Sequence, residues 1–169
     1  MLEILVPLVA FLGIFVGFFL SKICKEEMEP GKKYFLALKN FICIFLGLFM
    51  LYVSLPNYTF FIIGMLIGYA IRKEYLYFGV LMLLLRHSLD FTLLASTFIF
   101  IYGLQYGTNF KKFRSLFIEV LLFFPPIIAI TLLNLNVLAF VNFAAGAIFI
   151  QPFVHKIEEI SDAHLYKRD

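Results

Sequence analysis

Long apolar blocks alternate with short polar breaks along this chain, and the blocks show no periodic polar face. Ile4 to Leu20 carries no charged residue, and Phe41 to Ile71 carries none either. A run of ~18 or more apolar residues can cross ~30 Å of hydrocarbon as a helix. The blocks fall at about 2–21, 34–55, 58–71, 75–104, 116–133 and 137–154. This pattern predicts an all-α polytopic membrane protein, with one helical domain over 1–154 and a charged tail over 155–169.

The breaks differ in kind. Between the first two blocks stands KICKEEMEPGKKY, read as a charged loop in which Pro30-Gly31 supplies a turn. Pro56-Asn57 and Asn134-Leu135-Asn136 make tight uncharged turns, whereas Arg72-Lys73-Glu74 and Tyr106 to Arg114 are basic. The block from 75 to 104 is itself divided by Arg86, His87, Ser88 and Asp90.

Charge decides how that block is read. If it crosses once, there are six spans. With the N-terminus outside, Lys22, Lys25, Lys32, Lys33, Arg72 and Lys73 lie inside, and Lys111, Lys112, Arg114, Lys156, Lys167 and Arg168 lie outside. Such an even split opposes the excess of Lys and Arg found in cytoplasmic loops. If the block goes in and comes back, every one of these cations is cytoplasmic. The sequence therefore predicts a helical hairpin over about 75–86 and 91–104, with its bend at 86–90.

The legs are short. At ~1.5 Å per residue, eleven residues (75–85) give ~16 Å and fourteen (91–104) give ~21 Å. About seven transmembrane helices, or six with a re-entrant hairpin, both agree with the charges. Either layout puts the N-terminus outside and the C-terminus in the cytoplasm. The first block lacks the basic leading segment of a cleaved signal, so it reads as a retained helix.

A shift of 79 residues lays 32–49 over 111–128, matching Lys32-Lys33 to Lys111-Lys112, Asn40 to Glu119 and Gly47 to Pro126. In the hairpin layout both copies run the same way, giving three spans, a linker and three spans. Parallel three-helix repeats of this kind build several small transporters.

Composition narrows the chemistry. The chain is 63% hydrophobic and 15% charged, with mean hydropathy +0.97. Its net charge of +3 comes from cations at block ends, so it carries no nucleic-acid signal. Cys24 and Cys43 have neither metal-ligand nor disulfide-framework spacing. The tail holds His155, Glu158, Glu159, Asp162 and His164 at mixed spacings, read as a solvated helix end. No motif for a cofactor, a metal, a phosphate loop or a nucleophile appears.

Polar residues inside apolar blocks are the candidates for function, since ionisable groups in a membrane are rare, paired and commonly line a path. Arg86, His87 and Asp90 form one group, with Arg86 and Asp90 four apart and His87 able to carry a proton. Lys39, Asn40 and Glu119 form another, and a Lys39–Glu119 pair would spare each an unpartnered charge. Lys39 can alternatively extend to the interface along its own methylenes.

Pro125-Pro126 is expected to interrupt the helix after Glu119, either as a packed kink or as a gating point. Asn142, Gln151 and Pro152 either line the same interior or bond across helices. Gly64 and Gly68 form a GxxxG face for close helix packing, internal or in a homo-oligomer.

The resulting expectation is a small transporter or permease for an ion or small solute in the cell membrane, without enzymatic activity and with the lipid bilayer as its partner. The alternative is a non-catalytic subunit or assembly factor bound to a membrane complex. A lipid-acting enzyme using His87 and Asp90 ranks third.

Overall fold

The computed structural model describes residues 2–54, 57–83, 89–108, 113–132 and 137–165. Those residues form seven helices and no strand: α1 (Leu2–Ile23), α2 (Lys25–Val53), α3 (Tyr58–Ala70), α4 (Glu74–Leu81), α5 (Leu89–Gly107), α6 (Phe113–Leu132) and α7 (Val137–Leu165). Three of them, over Val6–Ile23, Lys33–Val53 and Val137–Val154, are long and apolar enough to cross a membrane. The exterior agrees with that. Leu12, Phe19, Leu48, Leu66, Leu121 and Phe153 are all exposed, an apolar surface far too wide for a protein bathed in water.

Contacts between the helices fix their relative directions. Gly13 and Gly17 of α1 abut the backbones of Phe100 and Leu104 in α5, so these two helices run parallel. The Asn57 amide donates to Asn142 Oδ1 at 3.4 Å, and Gln151 Nε2 donates to the Gly68 carbonyl at 2.9 Å, so α3 and α7 are parallel too. Along α2 and α5 the order reverses: Phe49 meets Phe91, Phe45 meets Phe98, and Lys39 meets Tyr106. Lys73 meets Glu119 and Gly79 abuts Phe123, making α4 and α6 parallel. Asn142 near the start of α7 also meets Ser54 at the end of α2, so directions alternate along the described helices.

The stretch from 75 to 104 doubles back. Lys39 touches Glu74 at the start of α4 and Tyr106 near the end of α5, so the chain leaves one level and returns to it. Tyr75 against Tyr106 and Phe78 against Tyr102 give the same antiparallel order. The bend expected at Arg86, His87 and Ser88 lies outside the described residues.

Small residues hold the helices close. The Gly13/Gly17 ridge of α1 meets a second ridge, Gly103/Gly107 of α5, where a Cβ at any of the four positions would run into the opposing backbone. In a bundle with an apolar exterior, close backbone packing must supply cohesion that water supplies elsewhere. Gly64 and Gly68 make a third such ridge against Phe143 and Ala147 of α7, within one chain.

α4 is the centre. Every residue of this eight-residue helix except Leu76 is buried, Glu74 included. At ~1.5 Å per residue it is only ~12 Å long. It starts after a break at 71–73, where Ile71 has φ −108° and ψ 100° and its carbonyl accepts from the Tyr77 hydroxyl at 2.9 Å. α3 is also short, at 13 residues.

Three expected boundaries are corrected. KICKEEMEPGKKY is not a loop: the chain breaks only at Cys24 and is helical from Lys25 through Pro30-Gly31. A proline here removes one early backbone bond in a charged segment near the chain reversal, where water can serve the freed carbonyl. Pro125-Pro126 does not interrupt α6, which stays helical to Leu132 because Phe123 and its neighbours are held on both sides by α1 and α4. Finally, α7 continues past residue 154 to Leu165, so the tail begins as helix.

Candidate functional site

Four helices bring polar side chains to one level inside the bundle. Lys39 comes from α2, Glu74 from the first turn of α4, Tyr102 and Tyr106 from α5, and Glu119 from α6. Lys73, in the break before α4, completes the group. Lys39 Nζ lies 3.2 Å from Glu74 Oε1, with the two side chains 11% and 3% exposed. Lys73 Nζ lies 3.3 Å from Glu119 Oε1, and here the exposures are 48% and 4%.

One pair is thus sealed, and the other opens to solvent at its lysine. The Tyr106 hydroxyl donates to Glu119 Oε1 at 3.5 Å. The Lys39 ammonium also rests over the rings of Tyr102 and Tyr106, 5.5 and 5.2 Å from their centroids. Ring faces favour a cation most where water is scarce.

Aromatic packing closes the site on its deep side. Tyr75 meets Phe11, Phe78, Tyr102 and Phe123 edge-on or tilted, and Phe78 packs edge-on against Tyr102 at 4.8 Å. On the other side Glu119, six residues into α6 and ~9 Å from its start by helical rise, meets Lys73 of the α3–α4 connection, whose side chain is half exposed.

Several buried polar atoms in these helix turns have no protein partner: Asn40 Oδ1, Tyr75 Oη, Gln105 Oε1 and Glu119 Oε2. Unsatisfied buried acceptors each cost ~1–3 kcal/mol, so their grouping is informative.

Where the sequence offered a Lys39–Glu119 pair, Lys39 meets Glu74 and Glu119 meets Lys73, because the α3–α4 connection brings both charges of the Lys73-Glu74 dipeptide between α2 and α6. Glu74 was hidden from sequence reasoning by its place in a basic break. Its signal was the sign change beside Lys73 at the head of an apolar run. Tyr102 and Tyr106 were missed as well; their signal was the one-turn spacing that sets two rings on one side of a helix. Asp90 is exposed in the first turn of α5, and its expected partner Arg86 falls among the residues not described, as does His87. Pro125 is exposed on α6.

The amides bond across helices. Asn142 Nδ2 donates to the Ser54 carbonyl at 3.5 Å, and Gln151 bridges α7 to α3 at Gly68. No group of three metal-ligating side chains exists among the described residues. No protein-family model matches the chain, and neither a curated protein nor a solved structure matches it.

Proposed function

We propose that this chain is a small carrier of the cell membrane that moves an ion or small solute through the interior of a seven-span bundle. In this reading the N-terminus is outside and the C-terminus cytoplasmic. Support for the layout comes from the alternating helix directions. They bring to one end of the bundle every helix terminus that adjoins the basic segments, and such an end faces the cytoplasm.

One observation carries the function: two ion pairs stand within the bundle, a tyrosine hydroxyl bonded to one of them, beside a broken α3–α4 passage. A purely structural bundle gains little from four interior charges, since apolar packing of the same volume is as stable or more so. Charges kept inside membrane bundles commonly mark a transport path. Helices broken near a polar centre are a recurring device of carriers. The half-exposed Lys73 side chain marks the cytoplasmic mouth, and the aromatic layer around Tyr75 and Phe78 is the closed gate. Pro125-Pro126 flanks that layer on α6 and is the point about which it opens.

The test is charge movement in proteoliposomes challenged with a panel of inorganic ions, amino acids, sugars and organic acids. Wild-type protein should give a transient with at least one class, abolished by Glu119→Gln and by Lys39→Met. Silence with every class, together with a stoichiometric membrane partner on mild purification, would favour the subunit reading instead.

A further inference from the structure

We infer that Glu74, Tyr102 and Tyr106 form a binding site for a small primary ammonium compound, with the Lys39 side chain as its tethered occupant in this state. The inference rests on the carrier reading for its use, since it names the substrate class of that site, while binding itself is measurable without transport.

The preference of the site shows in what already fills it. Lys39 Nζ lies 3.2 Å from Glu74 Oε1. Tyr102 and Tyr106 stack at 5.7 Å with their planes 25° apart, and the same Nζ stands 5.5 and 5.2 Å from their centroids. Glu74 and Tyr102 are buried. A carboxylate beside ring faces, screened from water, is the chemistry that recognises organic ammonium ions.

Charge decides what can take the place of Lys39. Withdrawing it removes the ammonium from a buried carboxylate, a strongly unfavourable step. A neutral solute or an anion leaves that loss standing, whereas a monovalent cation makes it good. Lys73 is already engaged, 3.3 Å from Glu119. A bare metal ion needs a shell of oxygen ligands, and no group of three metal-ligating side chains exists among the described residues. An organic ammonium needs only the carboxylate and the rings.

Two neighbouring groups point to a solute as well. Glu119 Oε2 and Tyr102 Oη are buried and have no hydrogen-bond partner in the protein. Glu119 adjoins the site through Tyr106, whose hydroxyl donates to its other oxygen. A solute with N–H groups to spare brings donors that the tethered ammonium does not extend to them.

Lys39 also has somewhere to go. The apolar span of α2 begins at Lys33, six residues earlier and ~9 Å away by helical rise. A lysine stem can carry its ammonium back toward that level. Lys39 thus keeps Glu74 paired between solutes and gives way when one arrives.

Thermal unfolding of the full chain in nanodiscs tests this, titrated with n-propylammonium chloride against sodium chloride at equal ionic strength. Propylammonium should stabilise the wild-type protein saturably, and sodium should not. Lys39→Ala removes the tethered competitor and should bind propylammonium about 10-fold more tightly. Glu74→Gln should abolish the response in either background, and Lys73→Ala should bring no such gain. Equal stabilisation by sodium, a response that survives Glu74→Gln, or an equal gain in Lys73→Ala would overturn the inference. So would a wild-type protein with no saturable response, which decides the matter even if Lys39→Ala folds in neither salt. Binding of propylammonium by a protein that moves no solute would refute the carrier reading and leave this site standing. Transport of solutes without any such binding would do the reverse.

Discussion

Lys39 and Glu74 meet at 3.2 Å although they lie 35 positions apart, and both are buried. Breaking a buried pair strands a charge, which costs ~3–5 kcal/mol, whereas a half-exposed pair is worth ~0–1 kcal/mol. Lys39→Met should therefore unfold at markedly lower denaturant than Lys73→Met. The double variant Lys39→Met/Glu74→Gln should recover much of the loss. Equal costs for the two single variants, measured by unfolding in mixed micelles, would contradict the burial assigned to Lys39.

The paired glycine ridges of α1 and α5 make a second prediction. A methyl at Gly17 or Gly103 meets backbone or buried side-chain atoms, which cannot move aside as a flexible side-chain end can. Overpacking of this kind costs ~1–3 kcal/mol. Gly17→Ala and Gly103→Ala should each reduce the monodisperse fraction on size-exclusion chromatography, while Gly31→Ala, beside the movable ring of Phe35, should not.

The reversal within 75–104 predicts accessibility. Cysteines placed at Lys73 and Thr108 should react with an impermeant thiol reagent from the same side of the membrane. One at Asn57 should react from the other. Labelling of Lys73 and Thr108 from opposite sides would remove the alternating layout.

Gln151 and Asn142 bridge helices through backbone carbonyls. Interhelical bonds of this type in membranes contribute ~0.6 kcal/mol on average and up to ~1.7 kcal/mol. Gln151→Leu should thus cost no more than about 2 kcal/mol in thermal unfolding. A larger loss would give the amide a role beyond packing.

Helix number and the doubling back were legible in the sequence because both follow from additive signals, block length and cation placement. What escaped was level. Nothing in Arg72-Lys73-Glu74 says that the chain turns beside Lys39 and Glu119, because that depends on how α3 seats on α7 and α4 on α6. Lys39 and Glu119 are both buried, yet their partners could not be read, since pairing depends on the register between α4 and its neighbours. Pro30 and Pro125-Pro126 were read as breaks in the helix for a related reason. Proline weakens an isolated helix, but packing on both sides carries α6 through it.

α3 has only 13 residues, so it reaches about 20 Å where hydrocarbon is ~30 Å thick. Its outward side is apolar from Phe60 to Ile67 and ends in exposed tyrosines, Tyr58 and Tyr69. In the proposed spanning layout, acyl tails bordering that flank shorten or splay to match it, so the bilayer beside α3 is thinner than beside the longer α1, α2 and α7.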